Sequence, residues 1–165
     1  MEQRKSDCDY VYEVHGCLDR GEFEKAVSTA TEGLTHYPEE KSLYRLRAIA
    51  HNYLKRYHQA IDDLSKYLEY CSNEEGFVRS STYASIYAFR GSIRAKLEHY
   101  ENAINDLTKA IELSKSARDL YDRAGLFLKM NANENAKKDL ELIEDMNDST
   151  YSNAARDLLN RLDSS

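Results

Sequence analysis

Tryptophan is absent from this chain of 165 residues, proline occurs once and glycine six times. So few breakers exclude a fold of many short strands and tight turns and favour long helices. No run of ~18 apolar residues is present, which excludes a helical membrane span. The opening MEQRKSDCDY has no apolar stretch to serve as a signal peptide. Cys8, Cys17 and Cys71 are odd in number, widely spaced and without a CxxC pair. That pattern excludes a thiolate metal site and a disulfide framework, and reads as ordinary thiols of a reducing compartment, so a cytoplasmic location is expected. The 23 basic side chains are outnumbered by 29 acidic ones, a net charge of −6. The chain as a whole therefore lacks the positive footprint that a nucleic-acid backbone requires, and neither nucleic acid nor membrane is expected as a partner.

What is present is a 41% hydrophobic content, enough to bury a core, and an unusual 13 tyrosines. Four segments align with one another: DRGEFEKAVSTATEGL, LKRYHQAIDDLSKYLEY, LEHYENAINDLTKAIEL and KMNANENAKKDLELI. Their central alanines, Ala26, Ala60, Ala103 and Ala136, are spaced by 34, 43 and 33 residues. A second apolar stripe precedes each: YVYEVHGCL, YRLRAIAHNYL, YAFRGSIRAKL and LYDRAGLFLKM. Apolar residues recur at three- and four-residue intervals, the helical period. Each unit therefore reads as helix, turn, helix, with turns at Arg20-Gly21, Lys55-Arg56, Glu98-His99 and Asn131-Ala132.

A unit of ~34 residues with these features resembles the tetratricopeptide (TPR) family. Tyr10, Tyr44, Tyr87 and Leu120 match its bulky first-helix residue, and Ala48, Gly91 and Ala124 its small residue at the helix crossing, where Val14 departs. Phe23, Tyr57 and Tyr100 match the aromatic beside the second helix, where Asn133 departs. Gly33 and Ala110 match the small residue late in that helix, Tyr67 and Ile143 depart, and Pro38 alone keeps the closing proline. The resemblance implies an all-α, right-handed α-solenoid of about four hairpins plus a C-terminal capping helix. The expected repeats cover about 7–40, 41–72, 84–116 and 117–147, within a domain spanning 7–147, and the capping helix 148–163.

The long spacing places an insertion at 72–82, CSNEEGFVRSST, in which Phe77 and Val78 dock either on the repeats or on a partner. In DSTYSNAARDLLNRL, an Asp/Ser/Thr cluster starts a helix whose stripe Tyr151, Ala154, Ala155, Leu158, Leu159 and Leu162 covers the last repeat or, alternatively, makes a homodimer. Arg47 and Asp63, Arg90 and Asp106, and Arg123 and Asp139 all stand sixteen residues apart. Three copies at one spacing indicate ion pairs clamping the two helices of a hairpin rather than a catalytic pair.

Constellations for catalysis are missing. The sequence has no GxGxxG or GxxxxGK[ST] loop, and His15, His36, His51, His58 and His99 form no HExxH or other tight ligand set. His51 and His58 are separated by a turn, and His15 and Cys17, two apart on a helix, point in different directions. No enzyme, cofactor or metal is expected.

By the resemblance, first helices line a concave groove. The register assigns to it Val11, His15, Leu18 and Asp19; Arg45, Ile49, Asn52 and Tyr53; Ala88, Ser92, Ala95 and Lys96; and Arg118, Tyr121, Gly125, Leu128 and Lys129. Arg45, Lys96, Arg118 and Lys129 against Asp19 make this lining basic on an acidic body, which predicts an acidic peptide or helix as partner. Tyr53 and Tyr121 are expected as aromatic anchors. Family members that grip a chaperone's C-terminal carboxylate use Lys, Asn and Arg where this chain has Val11, His15, Leu46, Ala88 and Ser92, so that role is disfavoured. The expected function is a noncatalytic protein-interaction scaffold or adaptor; the alternatives are a small TPR-type chaperone for a secreted substrate and a homodimeric assembly factor.

Overall fold

The computed structural model describes residues 5–72, 81–146 and 150–163. These residues form nine α-helices and no strand: α1 Asp7–Asp19, α2 Phe23–His36, α3 Lys41–Tyr53, α4 Tyr57–Ser72, α5 Ser81–Lys96, α6 Tyr100–Ser114, α7 Ala117–Lys129, α8 Asn133–Asp145 and α9 Ser152–Asp163. Helices α1–α4 make one compact unit and α5–α9 a second, divided after Phe77. Consecutive odd and even helices pair as hairpins, so the chain is an all-α helical repeat.

The turn inside each hairpin is the same object built four times. Gly21, Lys55, Glu98 and Asn131 all take left-handed backbone, with φ of 73°, 57°, 60° and 57°. Around each, two N–H groups close back on the first helix. Gly21 N donates to Leu18 O at 3.0 Å and Glu22 N to Cys17 O at 2.9 Å, with matching pairs at 55–56, 98–99 and 131–132. This double closure satisfies carbonyls that the helix end leaves open. Only the first turn uses glycine, the residue that adopts this φ without strain.

In the first unit Tyr10, Val14, Cys17, Ala26, Ala30, Leu43, Leu46 and Ala50 form the core. The repeat alanines Ala26, Ala60, Ala103 and Ala136 are all 0% exposed, because they sit where two helices of a hairpin cross. Gly33 is there for the same reason: a Cβ would lie 2.7 Å from Leu43 Cδ1 and 3.0 Å from the Tyr10 ring. Tyr67 and Ile143, where the repeat pattern asks for a small residue, are buried instead as core filler.

In the second unit α9 lies on the last hairpin. Ala155 is fully buried, and Tyr151, Leu158, Leu159 and Leu162 pack against the cluster of Ala136, Leu140 and Ile143. Residues 148–149 of the expected capping cluster lie outside the described residues, as do Phe77 and Val78 with most of the insertion.

The recurrent Arg–Asp pairs are two-pronged. Arg47 donates to Asp63 at 2.9 and 2.6 Å, Arg90 to Asp106 at 3.0 and 2.7 Å, and Arg123 to Asp139 at 2.8 and 2.6 Å. The three carboxylates are nearly buried, at 5%, 3% and 3% exposed, so each needs its guanidinium. Arg47 and Arg123 also donate back to Thr31 and Thr108, on the second helix of the preceding hairpin, at 3.1 and 2.8 Å. One side chain thus fixes both the hairpin and its stacking on its predecessor.

Candidate functional site

Each unit opens a cleft between the first helices of its two hairpins, and the two clefts occupy the same repeat register. In the first unit α1 contributes Asp7, Cys8, Val11, Tyr12, His15 and Asp19, and the start of α3 contributes Glu40 and Ser42, around a volume of ≈ 560 Å³. In the second, α5 contributes Ala84, Ser85, Ala88, Phe89 and Ser92, and the α6–α7 junction contributes Ser114, Ser116, Arg118, Asp119 and Asp122, around ≈ 440 Å³.

These positions recur because a residue, its i+3 or i+4 neighbour and the next turn share one helix face. Opposite faces of α1 and α5 carry Tyr10, Val14 and Cys17, or Ile86 and Ile93, into the cores. Helix capping sets the far wall. Glu40 accepts the Ser42 N–H at 2.9 Å to cap α3, and Ser116 Oγ accepts the Asp119 N–H at 3.3 Å to cap α7.

Of the seventeen residues assigned to the groove, Val11, His15 and Asp19 line the first cleft, and Ala88, Ser92 and Arg118 the second. The others belong to different surroundings. Ile49 packs on the first unit's core, and Tyr53, though 61% exposed, is stacked on Phe23 at 4.4 Å and 6°. Arg45 acts electrostatically on the buried Tyr67 phenol of α4. Tyr121 packs against Tyr151, just before α9, at 5.6 Å, so the capping segment rather than an open groove uses its ring. Lys129 sits over the Tyr100 ring at 5.5 Å. Asn52 and Lys96 are each engaged elsewhere and line neither cleft.

The charge balance of the lining differs from the basic trough expected from the register. Asp7, Asp19 and Glu40 line the first cleft with no Lys or Arg, and Asp119 and Asp122 face Arg118 in the second. Register arithmetic counted long basic side chains by helix position, but Lys129 swings onto the Tyr100 ring and Arg45 lines neither cleft, while the short carboxylates stay at the opening. Burial pushes the Asp119 carboxyl up, with the Asp122 charge adding to it, and burial raises Asp122 as well. Asp7, Cys8, Tyr12, Glu40 and Ser42 were not read as site residues. The recurrence of their helix positions, one step from Val11 and in the first turn of α3, was the available signal.

Arg118 reaches Asp122 Oδ2 at 3.9 Å, an exposed pair. Among the described residues no cluster of His, Cys, Asp or Glu is arranged to hold a metal ion, and the three cysteines are free. No helix among them is long and apolar enough to cross a membrane. The arrangement offers shape, wet aromatic surface and charge.

A repeat of helix hairpins closed by identical turns, clamped by Arg–Asp pairs and opened between first helices defines a helical-repeat protein. The sequence profile of the tetratricopeptide repeat matches residues 84–116, the third hairpin, and the fold is that of a TPR-like helical repeat. No curated protein sequence matches it. Solved structures with the same fold include MamA 41-end from Desulfovibrio magneticus RS-1, at 18% identity and TM-score 0.78, covering 94% of this chain and 82% of that one. YrrB, described as a TPR protein with an unusual peptide-binding site, is 15% identical with TM-score 0.72, covering 86% of this chain and 69% of its own. The first TPR of Spaghetti (RPAP3), bound to an HSP90 peptide, is 19% identical with TM-score 0.65, covering 76% and 93%.

Proposed function

We propose that the chain is a noncatalytic protein-interaction module that holds an extended segment of another protein in the clefts between its first helices. The observation that carries this reading is the duplication of an open cleft at one register in both units. An active site needs one special copy, whereas a binding surface works by repetition. The peptide-bound Spaghetti structure and the peptide-binding site of YrrB support the same use of the fold. The role is that of a scaffold or adaptor; a second copy of the chain is one protein it can hold, and sedimentation of the purified chain distinguishes that case.

The test fills the clefts. Val11→Arg and Ala88→Arg place a long charged side chain in each opening, at half-buried positions that border the cores. Partners recovered by affinity capture with the parent chain are expected to be lost with the double variant, while circular dichroism is unchanged. Lys109→Glu, on the exposed face of α6, is expected to keep them. The reverse pattern, partners lost only on changing Lys109, overturns the cleft reading.

A further inference from the structure

We propose that the first unit's cleft takes a basic and apolar segment of a partner protein: a Lys or Arg cation held by Asp7, Asp19 and Glu40, with a neighbouring aliphatic or aromatic side chain against Val11 and Tyr12. This rests on the interaction reading above and adds to it the chemistry of the occupant.

The apolar half follows from Tyr12. Its ring is 83% exposed, more than any other large apolar residue described, and it makes no hydrogen bond or ring contact within the protein. Phe89, at the same register in the second unit, is half-buried. An aromatic left in water beside a half-buried Val11 at the mouth of a cleft is the kind of side chain that anchors interfaces.

The charged half follows from three carboxylates that share the cleft and form no ion pair among the described residues. Asp7 and Glu40 have local duties, since Asp7 stands in the first turn of α1 and Glu40 caps α3. Asp19 has none. It ends α1, where the helix dipole disfavours a negative charge, and the last turn holds no basic residue to offset it. Helix stability therefore gives no reason for an acid there, and a ligand cation does. The joint field reaches the Cys8 thiol, which the Asp7 carboxylate, chiefly, and Glu40 also push up from its ordinary value.

The second unit shows what the first lacks. Its cleft has Ala84 where the first has Asp7 and Ser116 where the first has Glu40, and Lys96 takes the position of Asp19. It also carries its own cation, Arg118, beside Asp122. In the first unit Ser42, which carries no charge, stands at the Arg118 position. His15 is the one titratable base of that cleft.

The experiment is a selection of random dodecapeptides displayed on phage against the immobilised full chain, followed by anisotropy titration of the best synthetic peptide. Selected peptides are expected to be enriched in Lys and Arg next to Leu, Ile, Phe or Tyr. Their affinity is expected to fall about tenfold on Asp7→Asn/Asp19→Asn/Glu40→Gln, the sum of three exposed charge contacts, and similarly on Tyr12→Ser. Asp62→Asn/Asp157→Asn, which removes exposed acids outside the cleft, is expected to leave it unchanged, and circular dichroism verifies each fold. Acidic or neutral peptides, or basic ones indifferent to the cleft variants, overturn this inference while leaving peptide binding standing. Failure to enrich any peptide overturns both.

Discussion

The two clefts are drawn from one template and finished differently. On the first helix, Asp7, Cys8, Val11, Tyr12 and His15 of the first unit correspond one by one to Ala84, Ser85, Ala88, Phe89 and Ser92 of the second. The first cleft is left acidic with a wet tyrosine. The second carries uncharged side chains on α5 and places its acids on α7, one of them, Asp119, only 7% exposed. Geometry is shared because helix crossing and turn closure are shared; chemistry diverges because the cleft-facing positions carry no packing duty. A repeat protein can therefore hold its frame constant while each cleft acquires its own chemistry.

The strongest way to test that the frames are equivalent is to cut the Arg–Asp clamps. Arg123→Met and Arg47→Met each leave a buried carboxylate without its two-pronged partner, and a loss of about 3–5 kcal/mol is expected in urea denaturation. Arg90→Met is expected to lose less, because Arg94 also donates to Asp106 at 2.8 Å. Equal losses at all three positions would show that Arg94 does not share the load.

Next in size, Gly33 and Gly125 oppose each other. Gly33→Ala drives a Cβ into Leu43 and Tyr10 and is expected to lower stability by about 1–3 kcal/mol. Gly125→Ala meets nothing within 4 Å and is expected to raise stability by up to about 1 kcal/mol, since alanine holds a helix better than glycine. Thermal melts of the two variants check the sign.

The turns give a similar contrast. Lys55→Gly and Glu98→Gly relieve a left-handed backbone that Gly21 already avoids, with an expected gain of up to about 1 kcal/mol each. A loss at either turn would mean that the stem of the lysine or glutamate contributes more by packing than its backbone strain removes.

The smallest effect concerns His51, found only in the first unit. Burial chiefly holds its imidazole below the ordinary value of 6.5, against the pull of Asp63, and its Nδ1 has no hydrogen-bond partner. The unfolded chain binds a proton at this position more readily than the folded one. Its contribution to stability is therefore complete above about pH 6.5 and is lost as pH falls below that, towards the folded value. Phe127 holds the same register in the fourth hairpin, so His51→Phe is expected to flatten this part of the stability profile between pH 7 and pH 5. A profile unchanged by the substitution would remove His51 from the account.

Much of the frame was legible before any coordinates. Ala26, Ala60, Ala103 and Ala136 mark crossings because a larger side chain overpacks them, and the sixteen-residue Arg–Asp interval matches the separation of facing positions on paired helices. The turn positions were legible from the junction of two apolar stripes, but the identical left-handed residue in each was hidden, since Lys55 and Glu98 do not advertise positive φ. Site residues were less legible. Val11, His15, Asp19, Ala88, Ser92 and Arg118 of the register line the two clefts, while Tyr53, Tyr121 and Lys129 were drawn off by Phe23, Tyr151 and Tyr100, aromatics distant in sequence.

Periodicity alone determined helices, hairpins and clamps, because each depends on intervals of a few residues or on contacts within one repeat. The sign of charge at the first cleft was decided only in three dimensions. Long cationic side chains choose among several neighbours, whereas Asp7, Asp19 and Glu40 have too few bonds to leave the opening they line.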